Sequence, residues 1–490
     1  MLFNSFSFLI FFPVVALGYW LVPARFRVLW LLLASCYFYM AFVPAFVLIL
    51  FGLITIDFFL GQAIEKRQGH LRWVFLVLSI CANVGVLFFF KYFNFFNANV
   101  AALVQFLHFN YTPALLSIAL PLGLSFHVFQ SLSYVIEVYK GRYGAEKNYL
   151  TYALYVMFFP QLVAGPIERP QHLLPQLHLT HRFDAVRARR GLERMLWGFF
   201  KKMVIADQIA QVINPLFLNP PPQGPVLIFM AVAFTYQLYC DFSGYADIAV
   251  GSAMVLGFEL MENFNRPFAA VSVADFWRRW HISLSSWLKE YLYYPLALGW
   301  GKVSKVKLYA SLFITFVLIG LWHGANWTFV AMGALHGTYL VVGSLTEKWR
   351  ERFAVRSGFS TLPRLRRLWQ VAVVFMLVTL SFIFFRSPSV GEAWYIISHL
   401  STGLTNLLSY HYVRYELFTG LGVWNNGLGL VIFICVLIME LVQYYQARAG
   451  SFYLFDREPK ALRYGWYYVL TFTVLFFGYF GAEGFIYFKF

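Results

Sequence analysis

From Leu308 to Thr346 the chain contains no Asp, Glu, Lys or Arg, and basic residues bracket the stretch: Lys302, Lys305 and Lys307 before it, Lys348, Arg350 and Arg352 after it. One crossing of a bilayer needs about 20 apolar residues, so a charge-free run of this length predicts two crossings joined by a turn. The turn falls in LIGLWHGANW, residues 318 to 327, where Gly320, Gly324 and Asn326 weaken helix continuity. Two histidines, His323 and His336, lie inside this apolar stretch. An ionisable side chain at membrane depth must find a polar partner or a watery cavity, which makes these residues the first place to look for chemistry.

The rest of the chain agrees with a membrane setting. With 60% hydrophobic, 21% aromatic and only 12% charged residues, 490 residues cannot fold as a soluble domain, and the fold class expected is an all-α polytopic membrane protein. The formal charge of +16 lies in clusters between apolar runs. That is the pattern that orients helices in a bilayer, and it gives no reason to invoke nucleic acid. Cys36, Cys81, Cys240 and Cys435 are far apart in apolar sequence and read as small core hydrophobes. The opening MLFNSFSFLIFFPVVALGYWLV has no basic start and no small-residue cleavage site, so it reads as a retained helix.

Placing helices by apolar length and faces by basic loops gives about twelve crossings with both termini outside. Arg25 and Arg27, then Glu65, Lys66, Arg67 and Arg72, mark inner loops early in the chain. Arg182 to Arg190, residues 348 to 367 with seven Lys or Arg, and Arg448 to Arg463 mark later ones. A last helix is expected over roughly Gly465 to Gly481. Two polar, Gly- or Pro-punctuated stretches, FFPQLVAGPIERP at 158 to 170 and DFSGYADIAVG at 241 to 251, look like broken or re-entrant segments facing an internal chamber, or else interface loops. NPPPQGP at 219 to 225 reads as an outward turn. With no fixed-period repeat, one membrane domain over residues 1 to 490 is the simplest organisation.

Ahead of the charge-free stretch, FWRRWHISLSSWLKEYLYYPL at 276 to 296 mixes aromatics with Arg278, Arg279, His281, Lys289 and Glu290. It reads as an amphipathic interfacial helix. On such a helix Trp277, His281 and Ser285 share one face; the plainer reading is an aromatic belt with snorkelling arginines.

Taken together, MLFNSFSFLIFFP, FQSLSYVIEVYKGR at 129 to 142, VAGPIERP, DFSGYADIAVG, NFNRPF at 263 to 268, FWRRWHISLSSW and GLWHGANW stand in an order that resembles the membrane-bound O-acyltransferases, in particular their bacterial alginate O-acetylation branch. The core motifs of the resemblance occupy residues 121 to 346. It implies re-entrant segments and helices in a ring around a central tunnel, where an activated acyl group meets its acceptor. His323 matches the family's invariant histidine and would be the general base, a role for which neutral imidazole is suited. His281 matches a second polar position and would orient substrate or polarise the thioester carbonyl.

The same resemblance implies acetyl-CoA or an acyl carrier protein thioester as donor, a separate periplasmic or membrane-tethered SGNH-type acetyltransferase as partner, a polysaccharide as final acceptor, and residence in a bacterial inner membrane with both termini periplasmic. Arg278, Arg279 and Lys289 could attract a donor phosphate or an acidic carrier. The tail, residues 482 to 490, ends in FIYFKF. An aromatic end left in solvent would expose apolar surface, so it is expected to be docked. Similar tails occur in this branch and in a small partner of the D-alanyl transfer system, which implies that Tyr487 accepts the acyl group as a tyrosyl ester; the plainer alternative is an interfacial anchor.

His336 reads as structural: Gly333 and Gly337 beside it suggest close helix packing, with the imidazole bonding across an interface. No His and carboxylate spacing suits a metal, and no GxSxG elbow or phosphate-cradling loop is present. The leading alternative class is a transporter or flippase for an envelope glycan precursor. Against it, the halves do not pair, and Asp57, Asp241, Asp247 and Glu440 form no evident coupling chain.

Overall fold

In a computed structural model the chain is described at residues 1–109, 111–113, 115–117, 120–163, 165–299, 301–418, 428–456, 458–481 and 484–486. Helices dominate, and the only extended pairing among the described residues is a single antiparallel bridge between Phe264 and Trp280. Among the described residues seven helices are long and apolar enough to cross a membrane: Phe46–Lys66, Gly69–Phe106, Gly224–Leu256, Lys305–His323, Trp327–Leu345, Pro363–Arg386 and Gly429–Ala449. Phe6–Leu21 is a shorter apolar helix. The final expected helix is present as Lys460–Phe477. Hydrogen bonding explains the preference, because a helix satisfies its backbone within one segment where lipid offers no partners.

The contacts divide the chain into two compact units. The first comprises Met1–Met195 and Tyr245–Glu262. Its start is tucked in: the Met1 ammonium donates to Phe38 O at 2.8 Å, and Phe3 stacks on Tyr245 at 4.4 Å. The 158–170 segment is broken, as its Pro and Gly content predicts. Helix Tyr149–Met157 stops, one turn forms at Phe159–Leu162, and helix Pro170–His178 restarts with proline in its first turn. The irregular backbone is buried and bonded rather than solvated: Gln161 donates to Tyr155 O at 2.8 Å and the Tyr155 hydroxyl to Glu168 O at 2.9 Å. Asp57 is likewise satisfied, accepting from Ser79 at 2.5 Å and Asn83 at 2.9 Å.

The second unit comprises Leu196–Gly244 and Asn263–Phe490. Its helices Lys305–His323 and Trp327–Leu345 form the predicted hairpin. Beyond it lie Pro363–Arg386, Val390–His399, Leu428–Ala449 and Lys460–Phe477, and the described chain ends at Ile486. NPPPQGP forms the turn between helices Asp207–Leu218 and Gly224–Leu256.

Three expectations are corrected. Residues 241 to 251 are not broken but run inside the continuous helix Gly224–Leu256. The glycines there permit close approach instead of a break: a Cβ on Gly244 would lie 2.8 Å from Gly198 O, and one on Gly251 would lie 2.5 Å from Gly191 O. Residues 276 to 296 are not one amphipathic helix. Helix Val273–Arg279 ends at extended Trp280, and Ile282–Leu288 starts afresh, because the Phe264–Trp280 bridge takes the backbone out of helical geometry. Trp277, His281 and Ser285 therefore share no continuous face. Finally, Cys240 and Cys435 are buried and Cys36 is half-buried, but Cys81 is exposed on a lipid-length helix, where a small apolar side chain suits a bilayer.

Candidate functional site

The hairpin turn places His323. Ser304 caps the first helix by accepting from Lys307 N at 3.2 Å, and the helix runs to His323 itself. Gly324 follows in extended conformation, and Asn326 caps the second helix, accepting from Thr328 N at 3.0 Å while donating to Pro388 O at 3.1 Å. The two helices press together at glycines: a Cβ on Gly320 would lie 2.1 Å from Phe329 O, and one on Gly333 would lie 2.3 Å from Phe316 O. His323 thus sits at a helix end braced from both sides. Its ring is buried between Trp322 at 4.9 Å and Phe385 at 5.5 Å.

His281 reaches the same place from a different element. It is one of three non-glycine residues with positive φ among the described residues, at φ 45°, and it is fully buried. Left-handed backbone strains a residue with a Cβ, and such strain persists only where the surroundings impose it. Here Asn263 imposes it: its carbonyl accepts from Ile282 N at 3.0 Å and its side-chain oxygen from Ser283 Oγ at 2.7 Å. The imidazole packs on Phe242 at 4.6 Å and on Trp322 at 6.3 Å. Burial pushes its pKa down to about 3, which keeps the ring neutral. Trp322 therefore touches both histidines, although 42 residues separate them in the sequence.

His336 is occupied. Its Nδ1 accepts from Trp277 Nε1 at 3.3 Å, and its Nε2 lies 2.8 Å from Ser381 Oγ, which itself donates to Val378 O. These partners select the neutral Nε2–H tautomer and use both ring nitrogens, in keeping with a structural role.

The described end of the tail is docked in this neighbourhood. Phe485 and Ile486 are buried, and Phe485 packs at 5.4 Å on Phe242, the ring that also holds His281. The Ile486 amide donates to Asp241 Oδ2 at 2.7 Å. Tyr487 lies outside the described residues.

The basic candidates do not converge. Arg278 and Arg279 both pair with Asp275 of their own helix, at 3.3 and 3.0 Å, while exposed Lys289 lies over Tyr294 at 5.6 Å. Burial raises the Asp275 pKa, but hydrogen bonds from Arg279 and Val271 outweigh it and hold the carboxyl below its ordinary range. A feature the sequence reading missed is Lys202, whose ammonium lies 2.7 Å from Asp207 and 2.6 Å from Asp241. The signal was there: a lysine five residues before an aspartate in apolar sequence demands a partner.

Residues 70–386, which span both histidines and their turn, match the membrane-bound O-acyltransferase family. The chain belongs to that family. It is 40% identical over 403 residues to a probable alginate O-acetylase of Azotobacter vinelandii, covering 80% of this chain and 77% of that one. A probable alginate O-acetylase of Pseudomonas aeruginosa is 39% identical over 402 residues, covering 80% of this chain and 74% of its own. A peptidoglycan O-acetyltransferase of Helicobacter pylori is 35% identical over 431 residues, covering 80% of this chain and 78% of its own. This member of the membrane-bound O-acyltransferases is therefore an enzyme of acyl transfer, in a multi-pass membrane setting.

Proposed function

We propose that the enzyme takes an acetyl or other short acyl group from a cytoplasmic thioester, acetyl-CoA or an acyl carrier protein, and passes it across the inner membrane for O-acetylation of an extracytoplasmic polysaccharide. The observation that carries this reading is the convergence of His323, His281 and the docked tail around Trp322 and Phe242. One buried neighbourhood then holds a candidate base, a neutral polar side chain and a route to a phenol.

In this mechanism His323 removes the proton from the hydroxyl of Tyr487, whose oxygen attacks the thioester carbonyl carbon. The tetrahedral adduct collapses, the C–S bond breaks, and the thiolate leaves as thiol with the proton returned from imidazolium. Neutral His281 orients the acyl carbonyl. Tyrosyl ester would then face the outer side, where an SGNH-type acetyltransferase partner transfers the group to the polysaccharide. The full chain acts as one membrane domain of about twelve crossings around a central tunnel, with its termini periplasmic. Arg278, Arg279 and Lys289 would supply positive charge toward the donor, weakened at the arginines by Asp275.

The test is polysaccharide acetylation in cells, together with intact-mass measurement of purified protein given labelled acetyl-CoA, for wild type, His323→Ala and Tyr487→Phe at matched abundance. The proposal expects label on Tyr487 in wild type and loss of acetylation in both variants. Full activity of His323→Ala would remove the base assignment, and full activity of Tyr487→Phe would remove the relay. Thioester-dependent CoA release without an ion gradient separates this enzyme from a transporter.

A further inference from the structure

Asp241 is 3% exposed and sits in the middle of a helix of lipid-spanning length. Its Oδ1 is paired with Lys202, but that ammonium also serves Asp207, so two carboxylates share one cation. With one ammonium shared between two buried carboxylates, the second oxygen of Asp241 needs a further donor. The donor observed is not a side chain but the backbone amide of Ile486, 245 residues away, at 2.7 Å from Asp241 Oδ2. Gly484 and Ile486 line one small pocket with Lys202, Asp207, Asn214, Gln237, Asp241 and Arg386. On its other side Arg386 donates to Asn214 at 3.1 Å and follows Phe385, the ring against His323. The next residue after Asp241 is Phe242, which holds both Phe485 and His281.

We propose that Asp241, held in place by Lys202, is a latch that seats the C-terminal segment near His281 by accepting the Ile486 amide. The latch fixes the segment one residue ahead of Tyr487, so Asp241 is a positioning residue for acyl transfer. Because Lys202 is shared with Asp207 and meets only Oδ1 of Asp241, Oδ2 stays open to the amide. Its consequence for turnover rests on the relay reading above; the docking itself does not.

Hydrogen exchange of the full-length protein in lipid nanodiscs, read at the C-terminal peptide by mass spectrometry, tests this directly. In wild type the tail should exchange slowly. A hydrogen bond to a charged group is strong enough that Asp241→Leu should accelerate exchange there by about 10-fold to 100-fold. Ile486→Pro, which removes the donor and leaves every charge in place, should do the same, so the outcome does not depend on the folding of Asp241→Leu. Asp241→Asn keeps an acceptor and should restore most of the protection.

Transfer should fall with the released tail in kcat, with the KM for acetyl-CoA unchanged. Wild-type exchange rates in both Asp241→Leu and Ile486→Pro would overturn the latch, and so would an unprotected tail in wild type. An unchanged kcat with a released tail would overturn its positioning role. Tyr487→Phe separates the two proposals: it should keep the tail protected while losing the label, whereas label-free wild type with a protected tail defeats the relay and leaves the latch standing.

Discussion

At the residue scale the three buried histidines of the second unit divide by what surrounds their rings. His336 spends both nitrogens on Trp277 and Ser381, so His336→Phe should cost stability of about 1 to 3 kcal/mol by stranding those partners, lowering the thermal midpoint without changing the KM for donor. His323 is packed by aromatic faces at a helix end, and His323→Ala should lower turnover by about 10² to 10⁴ in a CoA-release assay. His281 carries a second constraint, its left-handed backbone. Asn tolerates that conformation and a β-branched residue does not, so His281→Asn should yield more folded protein and more activity than His281→Val, measured by thermal shift and CoA release. The bonding of His336 could be read from residue type and neighbours. The strain at His281 could not, since Asn263, next to the Phe264–Trp280 bridge, imposes it through bonds to Ile282 and Ser283 that no local pattern announces.

At the scale of elements, the charge-free stretch was the most legible part of the chain. Glycine and asparagine at its middle marked a turn, and the turn is there, capped by Asn326. The same residue types misled at 241 to 251, where Gly244 and Gly251 serve helix contact within an unbroken helix. Glycine weakens a helix by only about 1 kcal/mol, a cost that close packing offsets, so local composition does not decide between a break and a contact. Gly333→Val tests the hairpin crossing: with Phe316 O at 2.3 Å from a Cβ there, the helices must separate. The thermal midpoint should fall by an amount matching about 1 to 3 kcal/mol or more of overpacking, and His323-dependent turnover should fall with it.

At the scale of the whole molecule, buried ion pairs tie distant segments within each unit. In the first unit Arg194 donates to Asp247 at 3.0 Å and also holds Glu262. Arg194→Ala leaves Asp247 buried without its cation, and a loss of about 3 to 5 kcal/mol is expected as reduced folded yield and an earlier thermal transition. The basic loops carry the matching prediction for orientation: a C-terminal phosphatase fusion should be active and a C-terminal fluorescent fusion dark if both termini face outward.

Sequence alone determined that this chain lives in a bilayer, that its apolar runs are helices, and that a histidine stands at the break of a charge-free hairpin. Those follow from length, charge and turn chemistry, which act locally. Only the tertiary structure decided that His281 and His323 share Trp322, that His336 is occupied, and that Asp241 receives the Ile486 amide. Each of those is a contact between segments far apart in the chain. A buried polar group states that it needs a partner; which partner it finds is settled by how the helices pack.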